Sequence, residues 1–153
     1  MSIKPYVDEF LLPKSTFSIE VIRVSSLPDD IRVKIESFLQ KSSSRFAKKQ
    51  CCDNAVLAMS IDSKIEYVEG VIGFQGKIPI EHAWNKYNGF YFDVTAELYF
   101  DGDICRTGRG QDYVSIQETK DRSQAREWAN SVLRALARVM RIQRKEKPQD
   151  SIR

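Results

Sequence analysis

Three residue types in this chain can together perform nucleophilic acyl chemistry: a thiol, an imidazole and a carboxylate. The thiols are Cys51 and Cys52, adjacent in the sequence; the imidazole is His82, the single histidine; the carboxylate is Asp93. Thiol catalysis needs a stabilised thiolate, a base in contact with it, and a third group that holds the base. The first turn of a helix supplies the stabilisation, because unpaired backbone N–H groups and the macrodipole favour negative charge. Both cysteines fall at the predicted start of a helix over about 50–59, where Asp53 suits the first turn and Ala55, Leu57, Ala58 and Met59 are good helix formers. Taken alone, two such cysteines are ordinary small buried hydrophobes.

A hairpin brings in the other two groups. Asn88-Gly89 between aromatic-rich runs is the strongest short-range hairpin signal. A two-residue turn pairs Tyr87 with Phe90, which puts Trp84 opposite Asp93 and His82 opposite Thr95. His82, Trp84, Asp93 and Thr95 then share one face. Ala83, Asn85, Tyr87, Phe90, Phe92 and Val94 share the other, a mostly apolar face that suits a core. His82 and Asp93 become diagonal neighbours, close enough for the carboxylate to accept from one ring nitrogen and leave the other for a thiol. A one-residue slip, or a bulge after the turn, breaks the pairing.

These groups need a scaffold, and the rest of the chain reads as one. At 153 residues, with 42% hydrophobic and 29% charged residues, it has the size and composition of a single globular domain over 1–153. Phe17–Ser25 alternates as a half-buried strand. Pro28, Asp29 and Asp30 open a helix whose stripe is Ile31, Ile35, Phe38 and Leu39, broken at Ser42–Ser44. Strands are expected over Ile65–Phe74, Ile80–Tyr87, Phe90–Phe100 and Tyr113–Gln117, with a turn at Asp101-Gly102 and a flexible loop at 108–110. A C-terminal helix over 121–144, with Ala125, Trp128, Val132, Leu136 and Val139 buried, precedes a frayed tail over 147–153. The order predicts an α+β domain: N-terminal helices packed on a central antiparallel β-sheet, with a C-terminal helix.

Counting excludes several chemistries. One histidine and no C-x-x-C pair leave no basis for a zinc site, and no cofactor is implied. Three cysteines do not make a disulfide framework, and neither a signal peptide nor an apolar run of membrane-spanning length is present, so a cytoplasmic, reducing setting without membrane partners is expected. The 24 basic and 21 acidic residues give a net charge of +3, too small to imply a nucleic-acid partner. A basic stripe of Arg134, Arg138, Arg141 and Lys145 on the C-terminal helix keeps phosphate binding as an alternative to an ordinary solvated face.

The segments Cys51-Cys52-Asp53-Asn54-Ala55, Tyr67-Val68-Glu69-Gly70, His82-Ala83-Trp84-Asn85 and Asp93-Val94-Thr95 resemble, in order and spacing, the motifs of the transglutaminase-like superfamily of papain-like cysteine enzymes. The likeness covers about residues 45–100; Val94 departs from the proline usual there. It implies a transglutaminase/papain-like core and acyl transfer from a protein or peptide substrate. Cys51 is the implied nucleophile, because it stands four residues before the small Ala55; Cys52 is its neighbour, and Cys105 is structural. His82 would be the base and Asp93 its orienting group. Backbone N–H groups at the helix start would hold the oxyanion. Gln50 is a side-chain donor candidate or a plain helix-entry residue. Trp84 either shields the pair and lines the acyl pocket or packs against the helix. Hydrolysis of a peptide, isopeptide or other amide bond is the broadest expectation. The alternatives are a catalytically inactive transglutaminase-like binding module, or a nucleic-acid-binding protein using the basic helix.

Overall fold

The structure, a computed structural model, describes residues 20–46, 50–74, 80–99 and 111–131. The first strand is split: β1 (Glu20–Ile22) and β2 (Val24–Ser25) flank Arg23. Helix α1 (Asp29–Lys41) follows Pro28, carries Asp29 and Asp30 in its first turn, buries Ile31 and Ile35, and ends at an extended Ser42. The short helix α2 (Cys51–Ala58) leads into β3 (Glu66–Phe74) and β4 (Ile80–Tyr87). Then come β5 (Phe90–Phe92), α3 (Val94–Tyr99), β6 (Gln111–Thr119) and α4 (Arg122–Asn130).

The six strands form one sheet in the order β1-β6-β3-β4-β5-β2. The two ends of that order are consecutive in the chain, so the segment over 20–25 bridges both sheet edges and nearly closes a barrel. The class is α+β, as expected, but the sheet is mixed: β2 runs parallel to β5, while the other pairs are antiparallel. Closure explains the difference. A split strand that pairs antiparallel to β6 with one edge must offer its other edge to β5 in whatever direction the chain already runs.

Both sides of the sheet are buried, because side chains alternate along each strand. Val24, Val68, Ile72, Trp84 and Tyr113 pack together on the inner side. The larger cluster joins Tyr67, Ala83, Tyr87 and Phe92 to Ile31 and Ile35 of α1, Ala55, Val56 and Ala58 of α2, and Ala125 of α4. On the expected core face of the hairpin Ala83, Asn85, Tyr87, Phe92 and Val94 are buried, but Phe90, at the tip, is exposed; Trp84, on the other face, is as buried as Ala83.

Gly70 marks a close approach of backbones in the sheet. Register shifts between Glu69 and Gly70 where β3 meets β6. A Cβ at Gly70 would lie 2.9 Å from the Val114 carbonyl carbon, closer still to its oxygen, and 2.7 Å from Trp84 Cη2. Only a residue without a side chain lets the backbones approach this closely.

Two further expectations change. The run Phe90–Phe100 is not one strand, because the chain turns helical at Val94. The C-terminal helix does not continue through 121–144: Asp121 caps it with bonds from the Ser123 and Gln124 N–H groups, but Ser131 is extended. Of its expected stripe, Ala125 is buried and Trp128 half-buried. Val132, Leu136, Val139, the basic residues Arg134, Arg138, Arg141 and Lys145, Cys105, the 101–102 turn, the 108–110 loop and the tail over 147–153 lie outside the described residues.

Candidate functional site

The hairpin positions the imidazole. Asn88 (φ 48°) and Gly89 (φ 82°) both take left-handed backbone, the requirement of the tight turn that fits strand twist. Tyr87 pairs with Phe90, Lys86 with Tyr91 and Asn85 with Phe92. Pairing stops there. Asp93 leaves the ribbon, and its Oδ1 accepts the Ala96 N–H at 3.0 Å, the capping bond that starts α3. The other carboxylate oxygen, Oδ2, turns back to His82 Nε2 at 2.7 Å. His82 and Asp93 are thus brought together, by a strand end and a helix cap rather than by the diagonal of a continuing ribbon.

The departure of β5 also exposes an edge of β4. In a two-residue hairpin Tyr87 and Asn85 direct their backbone groups at the partner strand, and alternation gives Ala83 the same direction. With β5 gone beyond Phe92, the Ala83 N–H has no strand opposite, and it donates to the Cys51 thiol. The tip of α2 therefore meets β4 one residue from His82.

Two buried amides hold α2 in this place. Asn54 Nδ2 donates to Thr95 Oγ1 at 2.9 Å, tying α2 to the first turn of α3. Asn85 Nδ2 donates to the Ala55 carbonyl at 2.8 Å and to the Glu66 carbonyl at 3.1 Å. An exposed Arg126–Asp53 pair at 3.0 Å links α4 to the outer side of the same helix.

The charge state follows from these contacts. Burial works against a charged imidazole at His82, but the Asp93 carboxylate, through its charge and hydrogen bond, and the nearby Cys52 outweigh it, and the ring is held above its ordinary value. Burial likewise opposes ionised Asp93, yet His82, the Ala96 N–H and the Tyr113 hydroxyl hold its carboxyl below the usual range. The Cys51 thiol is pushed up, first by its hydrogen bond with Cys52 and then by burial, against the lowering pull of the Ala83 N–H. Cys51 therefore rests as a neutral thiol. Burial, with Glu69 and the thiols adding, also pushes the Tyr67 hydroxyl up.

Both cysteines are half-buried. Cys51 touches the Ala83 edge and feels Asp93, while Cys52 acts on His82 and on Tyr67. Gln50 is the exposed N-cap residue of α2, and its side chain makes no capping bond. Trp84 is fully buried, its ring 6.2 Å from that of His82 and nearly parallel to it. Trp84 thus packs beside the imidazole within the sheet's buried side and presents almost no surface to solvent.

Sequence reasoning missed Tyr113. Its hydroxyl donates to Asp93 Oδ2 at 2.8 Å, and its ring stands edge-on to Trp84 at 5.1 Å. The only sequence signal for it was an aromatic residue in a strand. Asn54 and Asn85 were likewise passed over as supports for α2. Among the described residues no group of three or more His, Cys, Asp or Glu side chains is placed to hold a metal ion, and no helix is long and apolar enough to cross a membrane. No family model, curated protein or solved structure matches the chain.

Proposed function

We propose that the protein is a cysteine-dependent acyl-transfer enzyme of transglutaminase-like type, acting in a reducing, cytoplasmic setting on an amide or isopeptide bond of a protein or peptide. The observation that carries this reading is the His82–Asp93 bond of 2.7 Å beside the thiol-bearing tip of α2. Asp93 engages Nε2, so Nδ1 is the ring nitrogen left for proton exchange with sulfur. Because Cys51 rests protonated, its attack on the carbonyl carbon is coupled to transfer of the thiol proton to His82. The imidazolium formed is stabilised by Asp93, then returns the proton to the departing amine as the tetrahedral adduct collapses. Water, deprotonated by His82, releases the acid and restores the thiol. Backbone N–H groups at the start of α2 would hold the oxyanion, with the Gln50 side chain as a further candidate donor.

The raised Cys51 thiol favours a second reading, a transglutaminase-like binding module without turnover. A small alkylating agent distinguishes the two. Selective modification of Cys51 near neutral pH, with loss of hydrolysis of an activated acyl ester in Cys51→Ser, is the expected result. Cys51 reactivity no greater than that of Cys105, or an intact biological effect in Cys51→Ala, sinks the enzyme reading.

A further inference from the structure

We infer that Tyr113 is a positioning residue of this site, which fixes the orientation of Asp93 and sets the basicity of His82 by sharing the same carboxylate oxygen. The inference rests on the acyl-transfer reading for its purpose, but its geometry stands apart from that reading. Asp93 Oδ2 accepts two bonds, from His82 Nε2 at 2.7 Å and from the Tyr113 hydroxyl at 2.8 Å, while Oδ1 takes the Ala96 N–H at 3.0 Å. The carboxylate is fully buried, so each donor counts for more than it would in water.

Tyr113 comes from β6, and β3 lies between β6 and the strand of His82. It is opposite Ile72 in the β3–β6 ladder and Ile22 in the β1–β6 ladder, in the middle of the barrel wall. Its ring is wedged edge-on against Trp84 at 5.1 Å and against His82 at 6.3 Å. The hydroxyl thus has a fixed direction. Asp93 is held from three elements at once: β4 through His82, β6 through Tyr113 and its own helix α3 through Ala96.

Two donors on one oxygen compete. Tyr113 withdraws negative charge from Oδ2 and so weakens its hold on the imidazolium; without Tyr113 the carboxylate leans harder on His82. The titratable groups facing the pair, among the described residues, are Tyr113 itself and, from α2, Cys51 and Cys52. Cys51 rests neutral and Cys52 raises His82 alongside Asp93, whereas the tyrosine acts on His82 through the carboxylate oxygen that the two share.

Because His82 is the single histidine, its ring resonances in the full chain can be followed by NMR across pH without assignment ambiguity. Tyr113→Phe keeps the ring packing and removes only the hydroxyl. The expected result is an upward shift of the His82 midpoint by about half a pH unit, with the Nε2 proton moving downfield. Incorporation of fluorotyrosine, which makes the hydroxyl a stronger donor, is expected to move the midpoint down in the folded chain. An unchanged midpoint in the folded Tyr113→Phe chain overturns the inference, as does a fluorotyrosine shift of zero or of the opposite sign. Neither result touches the alkylation of Cys51, so failure here and failure of the enzyme reading are separable.

Discussion

Replacing Asp93 by alanine removes three hydrogen bonds and one charge from a fully buried position. The lost cap of α3 costs about 1 kcal/mol. The bonds from His82 and Tyr113 to an ionised acceptor are each worth about 1.5–3 kcal/mol, and the orphaned donors stay buried. Since these contributions overlap, a net loss of about 3–5 kcal/mol is expected, a large fraction of the roughly 5–15 kcal/mol that holds a domain folded. The more incisive readout is the pH dependence. In the native chain His82 is raised above its unfolded value, so its contribution is fully present below about pH 6.5 and is lost as pH rises through the folded value. Asp93 is depressed, so its contribution is present above about pH 3.9 and lost as pH falls through its folded value. Between about pH 6 and 8, where His82 is the main titrating side chain, stability should decline as pH rises. Without the carboxylate, burial, the largest influence on His82, is opposed only by the weaker pull of Cys52 and lowers it, so in Asp93→Ala stability should climb with pH over the same window. Urea unfolding at several pH values measures both slopes. Slopes of the same sign in the two proteins would refute the claim that Asp93 dominates the environment of His82.

Gly70→Ala places a methyl group against the Val114 carbonyl and Trp84, and because a backbone must yield, a loss at or above the usual 1–3 kcal/mol for overpacking is expected in thermal or urea unfolding. Gly89→Ala strains a left-handed position with open space around it, so about 1 kcal/mol should be lost with the Cys51 site unaffected; impaired alkylation would contradict that separation. Asn54→Ala strands the buried Thr95 hydroxyl and frees the tip of α2, costing about 1–3 kcal/mol and changing the Cys51 alkylation rate; unchanged stability would show that the amide does not tether the helix.

What could be read from the chain alone was whatever short-range pattern decides. The Asn88-Gly89 turn has one favoured geometry, and that geometry fixes the register from Tyr87–Phe90 to Asn85–Phe92 with no help from the rest of the molecule. Helix α1 is written in the same way, by Pro28, two acidic residues and the Ile31/Ile35 spacing. Past Phe92, local pattern misleads. Val94, Thr95 and the aromatic residues after them favour a strand, but pairing with β4 ends at Phe92, and Asp93 caps a helix with one oxygen while His82 and Tyr113 hold the other. The proximity of His82 and Asp93 was therefore foreseeable, and its cause was not. Tyr113, 20 residues from Asp93 and on another strand, reaches it only when β6 docks beside β3 and the split first strand closes the barrel. Gly70 and the buried amides of Asn54 and Asn85 acquire their meaning in the same step. Periodicity and turn chemistry act over a few residues and are carried by the sequence itself, whereas contacts between distant segments depend on which edges and faces meet, which only the assembled sheet decides.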